Sequence, residues 1–173
     1  RKLLKKLLER DTTYGTNEET QLLHIWSEYP QLYAYQRFRM ESVASLVKET
    51  AAQVNALGKR YEYIPSSTPF AINATYHEAV PIGALEGVVD TFVPLVYDME
   101  SSYGKVLDNI RLFDETTPVG MALNLGRSRY RDKEDLIGRI REAKELGSPE
   151  VLCYNYGMAT EEMLRWMREA YRG

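Results

Sequence analysis

Two hydrophobic patterns alternate along most of this chain. From residue 37 onward, stretches with a helical repeat are separated by short runs that are apolar almost throughout. The first helical stretch, 37–57, carries Val43, Leu46, Val47, Ala51, Val54 and Leu57 and is stopped by Gly58. Others are predicted at about 103–114, 133–146 and 160–171. The 133–146 helix has Asp132 as N-cap, apolar Leu136, Ile137, Ile140, Ala143 and Leu146, and Gly147 as its stop. The last has Thr160 as cap, Glu161 and Glu162 in its first turn, and Met163, Leu164, Met167, Ala170 and Tyr171 on one face. Four runs read as strands: Tyr61–Thr68, Val88–Tyr97, Pro118–Leu125 and Glu150–Tyr156. Continuous apolar runs suit strands buried on both faces of a parallel sheet. Residues 69–87 are irregular, with a short helix near Pro81–Glu86.

The first 36 residues are different. RKLLKKLLER places Leu3, Leu4, Leu7 and Leu8 on one stripe and surrounds them with positive charge. This is a solvated helix with one buried face, too short for a membrane anchor. Residues 11–36 form a long aromatic connection with Tyr14, Trp26, Tyr29, Tyr33 and Tyr35, and a short helix around 18–28. The chain therefore divides into 1–36, an N-terminal helix and long loop, and 37–173, a run of βα repeats.

Strand ends fall near 67, 97, 124 and 155, so they are spaced by about 30, 27 and 31 residues, the size of one βα unit. Two of these ends rhyme: Asn124-Leu125-Gly126 and Asn155-Tyr156-Gly157. Such an α/β repeat fits either an open doubly wound sheet or half of a (β/α)8 barrel, which takes about 250 residues when whole. A nucleotide-binding sheet has a glycine-rich turn after its first strand, whereas here that strand ends in Ser66-Ser67-Thr68-Pro69. Half of a TIM barrel is the preferred reading. Pro94 removes a ladder donor from the second strand, and a bulge is expected there.

Composition narrows the function. The 173 residues carry 22 basic and 25 acidic side chains, a net charge of −3, which excludes a dedicated nucleic-acid binder. No run approaches the roughly 18 apolar residues of a membrane span, so no membrane partner is expected. A single cysteine, Cys153, is expected as a small buried apolar residue. His24 and His77 lie far apart in sequence, and no cofactor or metal is expected. Tyrosine occurs 13 times against 4 phenylalanines. The chain starts inside a helical pattern without Met, as a piece of a longer protein would, so extracellular and cytoplasmic locations both stay open.

The run Val88-Val89-Asp90-Thr91-Phe92-Val93-Pro94-Leu95-Val96-Tyr97 resembles the sixth strand of glycoside-hydrolase-like TIM barrels, with their V-D-x-x-x-P-M-x-Y pattern. Leu95 stands where that family has methionine, and Tyr97-Asp98 match the M-x-Y-D tail of its chitinase-like members. Arg37-Phe38-Arg39 and the helix that follows are similar to the helix after strand four. The resemblance implies that residues 37–173 are strands five to eight. The strand-four acidic motif that supplies a key carboxylate in many such enzymes is absent from these residues.

In barrels the functional groups gather at the C-terminal ends of strands. The candidates are Ser66, Ser67 and Thr68; Tyr97, Asp98 and Glu100; Asn124; and Tyr154, Asn155 and Tyr156. Carboxylates and amides bond sugar hydroxyls, and tyrosine combines an apolar face with a polar tip. Glycoside hydrolysis needs two carboxyl groups, and Asp98, then Glu100, are the candidates in this half. Asp98 could equally hold substrate or cap a helix, and Asp90, at the other end of its strand, is expected to bond neighbouring backbone or an arginine. The expected ligand is a carbohydrate polymer. A competing reading puts a phosphorylated metabolite against the amides of the loops opened by Gly126 and Gly157. Arg127, Arg129 and Arg131, just after Gly126, could meet an anionic group, but a solvated basic loop is the preferred reading of them. A third is a non-catalytic sugar-binding module. A half-barrel leaves two bare sheet edges, so the missing N-terminal half, a second copy of the chain or residues 1–36 are expected to cover them.

Overall fold

A computed structural model describes residues 25–65, 78–97, 102–126 and 130–172, with the backbone alone for Tyr156 and Arg172. The chain forms two compact units, residues 1–37 and 38–173. In the first, Trp26 and Tyr33 meet edge to face at 5.8 Å between ring centroids. Helix α1, Pro30–Ala56, begins earlier than the apolar repeat predicted, because Pro30 occupies the first helical position, where its missing N–H costs nothing. It ends as expected: Gly58 adopts φ +66° and donates to the Asn55 carbonyl, while Lys59 N–H reaches the Val54 carbonyl.

The second unit alternates strand and helix: β1 Glu62–Tyr63, β2 Thr91–Phe92, α2 Tyr103–Arg111, β3 Met121–Asn124, α3 Lys133–Glu145, β4 Val151–Tyr154 and α4 Glu161–Arg172. A 3-10 turn, Ile82–Leu85, occupies the segment where a short helix was expected. The caps read from sequence are in place. Asp132 accepts from Asp135 N–H at 2.9 Å, Thr160 accepts from Met163 N–H at 3.2 Å, and Gly147 has φ +79°.

All strand pairings are parallel: β1 with β2, and β3 with β4. Bridges from Phe92 to Val119 and from Leu95 to Ala122 join the two pairs, so neighbours in space follow the order β1-β2-β3-β4. Among the described residues β1 and β4 do not pair, and the sheet is open. Pro94 explains why β2 is so short. Phe92 N–H donates to the Pro118 carbonyl and Val96 N–H to the Ala122 carbonyl, and the N–H that would stand between them is the one proline lacks. The expected bulge is not formed: both bridges keep the same residue offset, so the register runs straight through the gap.

Alternation assigns the two faces of the sheet. Phe92, Val96, Val119, Met121, Leu123 and Leu125 join Val106, Ile110, Leu136, Ile140, Ala143 and Met163 in the main core, with Tyr63, Val151 and Cys153 packed at its margin. The opposite face carries Val93, Leu95 and Tyr97 from β2 and its extension, Gly120, Ala122 and Asn124 around β3, and Glu150, Leu152 and Tyr154 along β4. Burial on both faces was expected of every strand. It holds for the central β2 and β3, whereas at the edges Ile64, Leu152 and Tyr154 are exposed, with no strand or helix among the described residues covering that side of them. Asp90 is structural, as expected, accepting from Tyr61 N–H at 2.7 Å.

The free edge of β4 is dressed by α4. The Tyr171 hydroxyl donates to the Val151 carbonyl at 2.6 Å, and Lys144 lies over the Tyr171 ring at 5.6 Å. Burial pushes the Cys153 thiol up to about 11, from an ordinary 9.0. Burial, with Cys153 nearby, pushes the Tyr171 phenol up to about 12, from 10.0. Both are held neutral in the fold, so ionisation favours the unfolded chain. Their stabilising contribution is whole below about pH 9 and is lost as the pH climbs through the two folded values. Thermal melts are expected to show Tm falling between about pH 9 and about pH 12, with the first part of the fall missing in Cys153→Ala. A Tm that stays level across that range in the parent chain would contradict the burial of both groups.

Candidate functional site

The C-terminal ends of β2, β3 and β4 bring Tyr97, Asn124 and Tyr154 into one row on the open face. Register places Asn124 directly opposite Tyr154, and the Leu95–Ala122 bridge aligns the end of β2 with the end of β3. Strands two apart lie roughly 9–10 Å from each other. Yet the Tyr97 and Tyr154 rings approach to 6.2 Å between centroids, with their planes 21° apart. The two rings therefore lean toward each other across the position of Asn124. A sugar ring sandwiched between two aromatic faces needs about 7–8 Å, twice a carbon–carbon contact distance. The pair is too close for that. Its accessible surface is Tyr154, 57% exposed.

Tyr97 is half-buried, and burial, with Tyr154 beside it, raises its phenol above the usual value. Behind it stands Tyr130, which the sequence reading did not single out. Burial raises its phenol further, against the opposing pull of Arg139, whose guanidinium lies 5.8 Å from the ring centroid. Both phenols stay neutral and act as hydroxyl groups at ordinary pH. Tyr130 packs against the core margin. Its signal in the sequence was faint, a lone aromatic among three arginines.

The two rhyming asparagines make the same local bond. Asn124 Oδ1 accepts from Gly126 N–H at 2.9 Å, and Asn155 Oδ1 accepts from Gly157 N–H at 3.0 Å. Each fixes its own turn. Each also spends a side-chain acceptor on the turn, which leaves the NH2 group as the side chain's donor. The same bonds occupy the glycine amides that the phosphate reading relied on. The peptide bond joining Tyr154 to Asn155 is cis. Tyr156 opens a 3-10 turn, Tyr156–Met158, and its side chain lies outside the described residues.

Ser66, Ser67, Thr68, Asp98, Glu100, His24, His77, Arg127 and Arg129 also lie outside the described residues. Arg131 is exposed and pairs with Asp135 at 3.7 Å. Cys153 is half-buried on the helix-covered side, away from the tyrosine rim. Among the described residues no cluster of His, Cys, Asp and Glu is arranged to hold a metal, and no helix is long and apolar enough to cross a membrane.

Two further features surround the rim. At the opposite end of the open face, Glu150 leans across Gly120, and its Oε1 is buried with no hydrogen-bond partner among the described residues. On the outside, a groove of about 500 Å³ runs between α3 and α4. It sets Arg141 and Lys144 against Glu145 and Glu169, and Lys144 is already committed to the Ala170 carbonyl at 2.8 Å. Its charges are balanced and it lies away from the strand ends. Comparison with protein-family models, curated proteins and solved structures finds no match to this chain.

Proposed function

We propose that the chain is a carbohydrate-active protein of glycoside-hydrolase-like character, with its βα repeats forming half of a TIM barrel. The observation that carries this reading is the tyrosine rim: two leaning rings, one well exposed, in one row with Asn124, whose Oδ1 is held by its own turn. A pyranose stacks its apolar C–H face on Tyr154 and offers hydroxyl oxygens to the donors of Asn124 and Asn155. Asp98 follows Tyr97 in sequence, which makes it the first choice for a catalytic carboxylate, with Glu100 second. The second carboxyl group comes from a strand outside these four.

Binding to a panel of neutral polysaccharides tests the reading. Tyr154→Ala is expected to weaken binding at least tenfold, about 1.4 kcal/mol, without lowering Tm, because the ring is mostly solvent-facing. Unchanged binding in that variant removes the rim from the site. Release of reducing ends that disappears in Asp98→Asn, with affinity kept, assigns hydrolysis. Binding without any release assigns a sugar-binding module.

A further inference from the structure

We propose that Tyr97 and Tyr154 form an oxidative coupling site, at which a haem peroxidase with hydrogen peroxide joins the two rings by a carbon–carbon bond. The site depends on ring geometry and stands whatever the rim binds.

The contact itself is of the right kind. Among the described residues, Trp26 with Tyr33 and Tyr63 with Phe92 meet edge to face, and each contact holds one phenol. Tyr97 and Tyr154 bring two phenols together with their planes 21° apart. Their centroid separation of 6.2 Å lies in the range of offset-stacked pairs, about 4.5–7 Å, in which ring edges are nearer than ring centres. The hydroxyls differ from those of the structural tyrosines. Tyr103 donates to the Val119 carbonyl and Tyr171 to the Val151 carbonyl. Among the described residues neither the Tyr97 nor the Tyr154 hydroxyl has a hydrogen-bond partner, so both protons can pass to solvent. Access is unequal in a useful way. Tyr154 is 57% exposed, within reach of an external oxidant and with room to turn, while the half-buried Tyr97 keeps its place. Cys153, the chain's one thiol, lies on the helix-covered side and does not stand between the rings.

The chemistry balances. Each phenol gives up one electron and its hydroxyl proton, which leaves a radical shared between the oxygen and the two ring carbons beside it. One such carbon, a Cε, from each ring forms the new bond. Each joined carbon then passes its hydrogen to the phenolic oxygen, and both rings are aromatic again. The pair has lost two hydrogen atoms, and one hydrogen peroxide has taken them up to become two waters. Because β3 lies between β2 and β4, the bond staples the two neighbours of a central strand.

Treatment of the dilute full chain with a haem peroxidase and limiting hydrogen peroxide tests this. The expected product keeps the single-chain mass of 20.0 kDa on a denaturing gel and gains the blue fluorescence of dityrosine. Peptide mapping is expected to join the segments holding Tyr97 and Tyr154, with the loss of two hydrogen atoms. Tyr97→Phe and Tyr154→Phe keep the ring and remove the phenol, so each is expected to abolish that product, with circular dichroism reporting the fold. If a variant fails to fold, the peptide map of the parent chain decides, and a map without the Tyr97–Tyr154 link overturns the proposal. Coupling found only in covalent dimers overturns it, as does fluorescence undiminished in either folded variant. So does a parent chain that yields methionine sulfoxide alone, as at the exposed Met158, while N-acetyltyrosine couples in a parallel reaction.

Discussion

Phe92→Ala is expected to lower stability by about 3–5 kcal/mol. Phe92 is fully buried at the end of β2, where its ring meets Tyr63 edge-on at 6.4 Å. Its backbone binds β3 in both directions, donating to the Pro118 carbonyl at 2.9 Å and accepting from Gly120 N–H at 2.7 Å. The ladder next to it is interrupted by Pro94, so packing carries more of the β2–β3 junction than in an unbroken strand. Domains of this size hold about 5–15 kcal/mol in all, so the loss takes a third or more of the margin. Urea titration followed by circular dichroism measures it. Phe113→Ala provides the contrast: its ring is 53% exposed, and an effect within about 0.5 kcal/mol is expected. Equal losses in the two variants would show that the assignment of faces is wrong.

Gly120→Val is the second large effect, expected at about 1–3 kcal/mol from overpacking. A Cβ at this position would lie 2.9 Å from Glu150 Cγ and 3.4 Å from Val93 Cγ2. The first separation is shorter than real carbon contacts allow, so Glu150 must swing away. The glycine is therefore there for space. The prediction separates two kinds of damage. If the cost is packing alone, Gly120→Val in a Glu150→Ala background should recover most of the lost stability. If no recovery is seen, the backbone at Gly120 is the constrained element. Denaturant midpoints for the single and double variants supply the comparison.

Much of the fold was legible in the residues because local rules act locally. The caps at Asp132 and Thr160 and the stops at Gly58 and Gly147 were all readable from side-chain chemistry within a single turn. The βα alternation followed from hydrophobic period. What could not be read depended on neighbours. A run such as Val151–Tyr154 looks the same whether a strand is central or at an edge, and only the sheet order decides that Leu152 faces outward. Pro94 suggested a bulge because a missing donor is visible in sequence, whereas the unbroken register across it is a property of two strands together.

The site divides along the same line. Tyr97, Asn124, Tyr154 and Asn155 were named from their place at strand ends, and the structure brings the first three into one row. The approach of the two rings joins residues from different strands, which no local pattern encodes. The rhyme of Asn124-Leu125-Gly126 with Asn155-Tyr156-Gly157 has a physical content that spacing only hinted at, since both asparagines hold the glycine amide two residues on.

The Tyr171 hydroxyl on the Val151 carbonyl has a bearing on colloidal behaviour. A bare parallel edge will accept almost any extended segment, in almost any register, and that indifference feeds fibril growth. Here the first outward acceptor of β4 is already filled by a side chain anchored in a helix. An intruding strand that slips by two residues meets a filled acceptor where it needs an open one. The capped carbonyl thus acts as a gatekeeper. It discourages the repetitive stacking by which bare sheet edges precipitate.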